Sequence, residues 1–564
     1  MTNQHQYSKQ QNSAVHSIIC NAPYQSDPLC VYQTLCQGNK NNLLLESAEI
    51  DKKHLLKSLL LVDAAVKIVC NCNTVTFTAL TVNGENALKF AQQQLAKYSQ
   101  AIQFKQQLNE HNNPQLIATF ADVEPDLDEN SRLKAINPFQ SLRLFNQLNN
   151  VNTHPFAVFL GGVFAFDMMS MSEKLPQVPD GENTCPDFVY YLAETLVVID
   201  HEKQHSEIIG NVFSFAECQN DKQAIQQRVQ QLKTQLQQDI SQPIVNTSLP
   251  KRHTSSDEVQ VDISDEKFCA IVEQLKENIR AGDIFQVVPS RTFTLPCKDT
   301  IAAYQALKLS NPSPYMFYLN DSEFCIFGAS PESAIKYQQH TDEGERQVEI
   351  YPIAGTRPRG FTSDGQFSAD LDSRIELDLR LDKKELAEHI MLVDLARNDI
   401  ARVSKAGTRH VPELLKVDRY SHVMHLVSRV CGSLSDDLDA LHAYQACMNM
   451  GTLSGAPKVK ATELIRQVEG KRRGSYGGAV GYITGTGEMD TCIVIRSAFV
   501  KNDIAQVQAG AGVVFDSDPQ SEANETRQKA QAVLSAIRDS AIRDSAIQVS
   551  THLNANSNTS KEQI

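Results

Sequence analysis

The sequence predicts an α+β fold, with antiparallel β-sheets packed by flanking helices in a two-domain chain. Three observations carry that expectation. Short β-rich runs come in groups, such as IFQVVPSRTF, YMFYL, FCIFGAS and VEIYPIAG, with helical stretches between groups rather than after every strand. Towards the C-terminal end, GGAVGYIT, DTCIVIRSAFV and AQVQAGAGVVF are separated by the turn sequences GTGE and KND, an antiparallel meander. At 564 residues the chain also exceeds what one compact core normally holds.

Taken in order, residues 1–22 read as a flexible polar N-terminal arm and 23–240 as a first domain. That domain holds strand-like runs at AVFLGGVFAFD (157–167) and LVVID (196–200). It closes with an amphipathic helix whose stripe is Ile225, Val229, Leu232 and Leu236. Residues 241–262, rich in Pro, Ser and Thr and without periodicity, read as a linker. The second domain, 263–547, opens with a helix from Ser264 to Gly282 whose stripe is Phe268, Ile271, Val272, Leu275 and Ile279. Further on, YPIAGTRPRG (351–360) suits neither a helix interior nor a central strand; it reads as a turn or as a backbone cradle for an anion. A long helix is expected over 382–402. The repeat AIRDS-AIRDS (536–545) lengthens a terminal helix, and 548–564 reads as a disordered tail.

A net charge of −14 argues against nucleic acid or an anionic membrane as the main partner. An acidic chain that binds an acidic small molecule must gather cations locally. The 13 cysteines have no repeating spacing, which suits free thiols in a reducing compartment. No run approaches the roughly 20 apolar residues of a membrane span, and the first 25 residues lack a secretory pattern, so a cytoplasmic protein is expected.

Three groups of residues could carry chemistry. In KKELAEHIMLVDLARND, Glu385, Glu388 and His389 sit at i, i+3 and i+4 and share a helical face. Such spacing also describes a solvated face, but the turns that follow are apolar, and buried carboxylates need a partner such as a metal. In DSDPQSEANETRQKA, Asp518-Pro519 starts a helix that puts Glu522 and Glu525 in its first two turns. Carboxylates there also suit the helix dipole; two Glu-x-x-Glu helices together would suit a hard cation such as Mg²⁺. The third group binds anions: Gly510, Ala511 and Gly512 in QAGAG, Arg496 in the apolar run CIVIRSAFV, and the helix opening GTLSGAPK.

In chain order, GASPES (328–333), YPIAGTRPRG, ELAEH, MGTLSGAPK, GSYGGAVGY and QAGAG resemble the chorismate-utilising enzymes. The likeness extends into the N-terminal half through LLLESAEID and VYYLAETLVVID and covers roughly residues 30–535. It implies the chorismate-binding enzyme fold, with Mg²⁺ held by Glu388 and Glu525 and supported by Glu385 and Glu522. It implies chorismate binding by Gly355, Thr356, Tyr476, Arg496, Gly510, Ala511 and Gly512, with Arg357 and Arg359 anchoring the loop. Relatives that add water carry lysine where this chain has Gln286, because water needs a base and ammonia does not. The similar aminodeoxychorismate synthases often carry a lysine nucleophile where this chain has Ala354. Together these positions imply direct amination by ammonia at ring C2, followed by loss of pyruvate. Glu332 is then the acid for the leaving hydroxyl, Thr452 orients the substrate, and His389 assists elimination. The resemblance further implies a glutamine amidotransferase partner in an α2β2 assembly. It also makes the first domain regulatory, with feedback by tryptophan at Ser47, Pro314, Tyr315 and Met316; the chain itself contains no tryptophan.

Overall fold

The computed structural model describes residues 14–559 apart from 37, 49–54, 124–125, 151–153, 215–218, 239–258, 342–343, 363 and 421–422. Most of the expected linker lies outside the described residues, as do 560–564 of the expected tail.

The strands pair antiparallel almost throughout, and the hydrogen-bonding runs through both halves of the chain. One path leads from Ala14–Ala22 through His205–Ser214, Phe188–Asp200, Leu55–Asn71 and Asn42–Ala48 to Tyr315–Asn320. It continues through Cys325–Ser330, Ser497–Lys501 and Ile504–Gly510 to Ser290–Pro296. A second path leaves Phe188–Asp200 through Phe159–Phe164, Ala479–Thr484, Met489–Ile493 and Ser333–Thr341. N-terminal and C-terminal segments therefore share one sheet, and the boundary at 241–262 does not separate two sheets.

Two corrections concern the ends. Residues 14–22, expected as part of a loose arm, form a strand paired along its whole length; Val15 is fully buried, a local apolar signal masked by polar neighbours. The last helix runs Pro519–Thr559, so helix rather than coil enters the expected tail.

Strand alternation decides where the cores lie. Along Phe188–Asp200, Val189, Tyr191, Ala193, Leu196 and Val198 enter a core lined mainly by strands, between sheet layers. Phe188, Tyr190 and Leu192 face a second core covered by helices Val82–Leu95, Lys383–Ala401 and Ala440–Cys447. Val197 and Ile199 face a third core beneath Pro28–Cys36, Gln219–Gln237, Thr300–Ser310 and the last helix. The switch in parity between Ala193 and Leu196 falls where the pairing with Leu55–Asn71 slips at Asp63–Val66. Because both faces are covered, this strand is an almost unbroken apolar run.

The helices follow their local signals. Asp265–Ala281 starts at Ser264, whose hydroxyl accepts from Lys267 N–H, and ends at Gly282 with φ +82°. Lys383–Ala401 starts at Asp382, whose carboxylate accepts from the Lys384 and Glu385 N–H groups. Among the described residues no helix is long and apolar enough to cross a membrane, and their cysteines are free thiols.

Candidate active site

One cavity of about 680 Å³ collects most of the residues picked out by sequence. Its walls come from segments more than 200 positions apart, including Gln286, Glu332, Gly355, Thr356, Thr452, Tyr476, Arg496, Gly510 and Gly512. All four predicted glutamates, 385, 388, 522 and 525, line it too. That size is ordinary for a small-molecule site.

YPIAGTRPRG proves to be a strand, Ile353–Pro358, paired on one side only with Val423–Ser433. Between Ala354 and Thr356 the register slips and Gly355 is the extra residue of a bulge, at φ +86°. The bulge leaves Gly355 outside the ladder and facing the cavity, where a β-carbon would meet Leu426, Leu379 and the Glu385 carboxylate. The two arginines brace this edge, Arg357 within the cavity wall and Arg359 outside it. Arg357 donates to Asp378, Asp382 and Glu385, and Arg359 makes a bidentate pair with Asp372.

The run CIVIRSAFV is not one strand. Met489–Ile493 and Ser497–Lys501 are interrupted before Arg496, which has φ +49°, a left-handed conformation costly for a non-glycine residue. The break turns its guanidinium towards the cavity, where Nη1 donates to the Lys529 carbonyl at 2.8 Å.

Glu332 is the most distinctive group. It is 7 % exposed and accepts a 2.8 Å hydrogen bond from Thr452 Oγ1. Burial pushes its pKa up to about 8, against the lowering effects of Thr452, Lys529 and Arg496. At neutral pH it therefore carries a proton that it can give away.

The acidic wall is built from two helices. Glu388 is pushed up to about 7 by burial and then by the like charges of Glu385 and Glu525, with Lys529 opposing. Glu522 is raised mainly by burial, and its buried Oε2 has no hydrogen-bond partner. Gln286 Nε2 donates to Glu388 Oε1 at 2.8 Å, while its own Oε1 is buried and unpartnered. Gly512 makes room here, since a β-carbon on it would lie 3.0 Å from Gln286 Nε2 and 3.5 Å from Glu388 Oε1. Among the described residues no three His, Cys, Asp or Glu side chains close on one point as a ready-made ion site. Magnesium does not require that, because it keeps waters and takes ligand oxygens beside one or two carboxylates. An unpartnered carboxylate oxygen beside mutually repelling acids fits a cation.

Two predicted residues do not reach the cavity. Ala511 is fully buried, and its N–H donates to the Pro289 carbonyl. His389 is also fully buried; its Nδ1 lies 3.2 Å from the Ala354 carbonyl and its Nε2 2.7 Å from Ser428 Oγ. Burial lowers its pKa, so the neutral ring donates to Ala354 and accepts from Ser428. The helix turns His389 one step past Glu388, into the strand behind.

Among the residues missed by sequence reasoning, His425 and Lys529 line the cavity. His425 sits opposite Thr356, with Nδ1 2.9 Å from Thr356 Oγ1. Burial, Arg496 and Lys529 hold its pKa down to about 4, so it is a neutral imidazole at pH 7. Lys529 reaches Glu525 at 2.7 Å and the Gly510 carbonyl at 3.1 Å. Its i,i+4 spacing from Glu525 was a readable signal; His425, on a strand of unknown facing, offered none.

None of the residues assigned to regulation lines the cavity. Ser47 and Tyr315 are directly opposite on paired strands, and Met316 is opposite Glu46. Pro314 immediately precedes this strand, and Tyr315 on its other side is opposite Ser330, two residues before Glu332.

A family model described as chorismate binding enzyme matches residues 91–535. The chain is 56% identical over 517 residues to anthranilate synthase component 1 of Vibrio cholerae, covering 91% of this chain and 95% of that one. It is 52% identical over 528 residues to anthranilate synthase component 1 of Escherichia coli, covering 93% and 98%. Among solved structures it resembles anthranilate synthase component I from Streptococcus pneumoniae, with TM-score 0.62 and 28% identity over 85% of this chain and 92% of that one. The menaquinone-specific isochorismate synthase of Escherichia coli shares the fold, with TM-score 0.61 at 16% identity over 93% and 95%.

Proposed function

This chain belongs to the chorismate-binding enzyme family, and from that premise we infer that it converts chorismate to anthranilate as the component 1 chains do. It is a cytoplasmic lyase of tryptophan biosynthesis that aminates ring C2 with ammonia and then releases pyruvate.

The carrying observation is a buried carboxyl group, Glu332, held by Thr452 inside a cavity with no lysine at positions 286 and 354; burial favours its protonated form. Glu332 gives its proton to the departing C4 hydroxyl while Thr452 holds its other oxygen in place. Gln286 cannot act as a base for water, which suits a nucleophile that needs none. Tyr476, Arg496 and the bulge at Gly355–Thr356 hold the carboxylates and side chain of the substrate. We assign to His425, a neutral cavity-lining imidazole hydrogen-bonded to Thr356, the removal of the C2 proton in the elimination, the role expected of His389 from sequence. His389 instead fixes the Ala354 carbonyl beneath the bulge. Glu388 and Glu525, supported by Glu385 and Glu522, would hold Mg²⁺, which when bound offsets the charge of the substrate carboxylates on an acidic wall.

Ammonia comes from a glutamine amidotransferase subunit, the component 2 that the relatives' names imply, in an α2β2 assembly. Tryptophan inhibits by binding around Ser47, Pro314, Tyr315 and Met316. Incubation of the chain with chorismate, Mg²⁺ and ammonium tests the reading: fluorescent anthranilate and one equivalent of pyruvate are expected. A stable aminated product without pyruvate would overturn it in favour of an aminodeoxychorismate synthase.

A further inference from the structure

Behind the cavity wall, outside the residues that line it, lies a buried ion pair between Glu469 and Arg473. Glu469 is the last residue of helix Lys458–Glu469, and the left-handed Gly470 lets the chain turn back so that Arg473 reaches it. Arg473 is 2 % exposed. Its Nε donates to Glu469 Oε2 at 3.0 Å and its Nη2 to Glu469 Oε1 at 2.6 Å, a bidentate pair.

The other two hydrogen bonds of Arg473 go to site segments. Nη1 donates to the Leu453 carbonyl at 2.8 Å, next to Thr452, and Nη2 also donates to the Val288 carbonyl at 2.6 Å, two residues from Gln286. The guanidinium lies 5.6 Å from the Tyr476 ring centroid and 4.5 Å from that of Phe166. On the other side, Glu469 Oε1 accepts from Ser290 N–H at 2.7 Å and Ser290 Oγ at 2.8 Å, and Ser290 Oγ accepts from Gln508 Nε2 at 2.8 Å. Four cavity-lining segments, around Gln286, Thr452, Tyr476 and Gln508, thus meet on one ion pair.

We propose that Glu469–Arg473 is the positioning pair of the active site, setting the spacing of the Thr452–Glu332 acid from the Gln286, Tyr476 and Gln508 walls. Buried pairs of this kind add little net stability over apolar packing, so stability alone gives weak reason for one here. Only a planar fork satisfies a bidentate carboxylate and two carbonyls together; a lysine ammonium, with three donors and no plane, releases at least one wall. Releasing Leu453 loosens Thr452, whose hydrogen bond opposes the effect of burial on Glu332; Lys529 and Arg496 also face Glu332 and act in the same direction.

The test rests on chorismate amination and uses the full chain with ammonium as the nitrogen source. Arg473→Lys should lower kcat by about tenfold or more, with a smaller change in KM, as expected for misplaced reacting groups. The alkaline limb of its kcat–pH profile should move to higher pH, as in Thr452→Val, and the double variant should move no further. Arg228→Lys, the same exchange at the remote Asp63 pair, should leave that limb in place. A folded Arg473→Lys with unchanged kcat, or with an unmoved limb, overturns the proposal while leaving the chorismate reading intact. Should Arg473→Lys not fold, Ser290→Ala removes the hydroxyl that joins Glu469 to Gln508 while keeping the backbone N–H bond to Glu469, and should raise KM for chorismate several-fold; an unchanged KM overturns the proposal. A wild-type chain inactive on chorismate would sink the functional reading and this inference with it.

Discussion

Replacing Glu332 by glutamine separates catalysis from stability in a way few other changes would. The glutamine oxygen can still accept from Thr452, so the wall keeps its shape, but the proton is gone. General acid groups contribute on the order of 10²–10⁴ in rate, and a loss of that size in kcat is expected with ammonium at pH 7. Stability should move the other way. Raising a carboxyl from 4.5 to about 8 means that the ionised form is disfavoured in the folded state by roughly 5 kcal/mol. The folded chain holds a proton there that the unfolded chain releases above 4.5, so wild-type stability falls as pH rises from 4.5 to about 8 and is level beyond. Glu332→Gln should match wild type near pH 5 and exceed it at pH 9 by up to that amount, read from urea unfolding. In wild type, kcat at saturating free ammonia should fall tenfold per pH unit above about 8. A Glu332→Gln chain that keeps more than a tenth of the wild-type rate, or that loses as much stability as wild type between pH 5 and 9, would refute the role of Glu332 as the acid.

The other sites give shorter tests. Glu388→Gln and Glu525→Gln should each abolish saturable Mg²⁺ binding in calorimetry, and wild-type affinity should strengthen from pH 6 to 8 as Glu388, held near 7, sheds its proton. Gly512→Ala puts a β-carbon 3.0 Å from Gln286 Nε2 and 3.5 Å from Glu388 Oε1, and should raise KM for chorismate; an unchanged KM would remove this glycine from the binding surface. His425→Ala should stall the reaction after amination, with the aminated intermediate visible by chromatography, whereas full anthranilate yield would return the elimination role to another group. Ser47→Leu should raise the tryptophan concentration for half-inhibition about tenfold or more, the equivalent of one lost hydrogen bond.

Much of the local structure was legible because it is encoded locally. Ser264 and Gly282 bound their helix, Asp518-Pro519 starts the last one, and Glu385/Glu388 and Glu522/Glu525 recur at helical spacing. The motifs that carry the family resemblance also converge on one cavity. What could not be read was direction. Sequence spacing places His389 beside Glu388, yet a step of one residue swings a helical side chain by about 100°, as 3.6 residues per turn require. Which side is wall and which is cavity depends on where strand Ile353–Pro358 lies, and there Ala354 and Ser428 take both ring nitrogens. For His425 the unknown was strand parity, settled only by the bulge at Gly355 that sets it opposite Thr356. The apolar run around Arg496 looked continuous because its break is a backbone conformation, not a composition. By itself the sequence determined the helices, their caps and the chemical groups present, since these follow from neighbours within a turn. Only the tertiary structure decided which of those groups share the cavity and which are protonated there, because burial and charge act between residues distant along the chain.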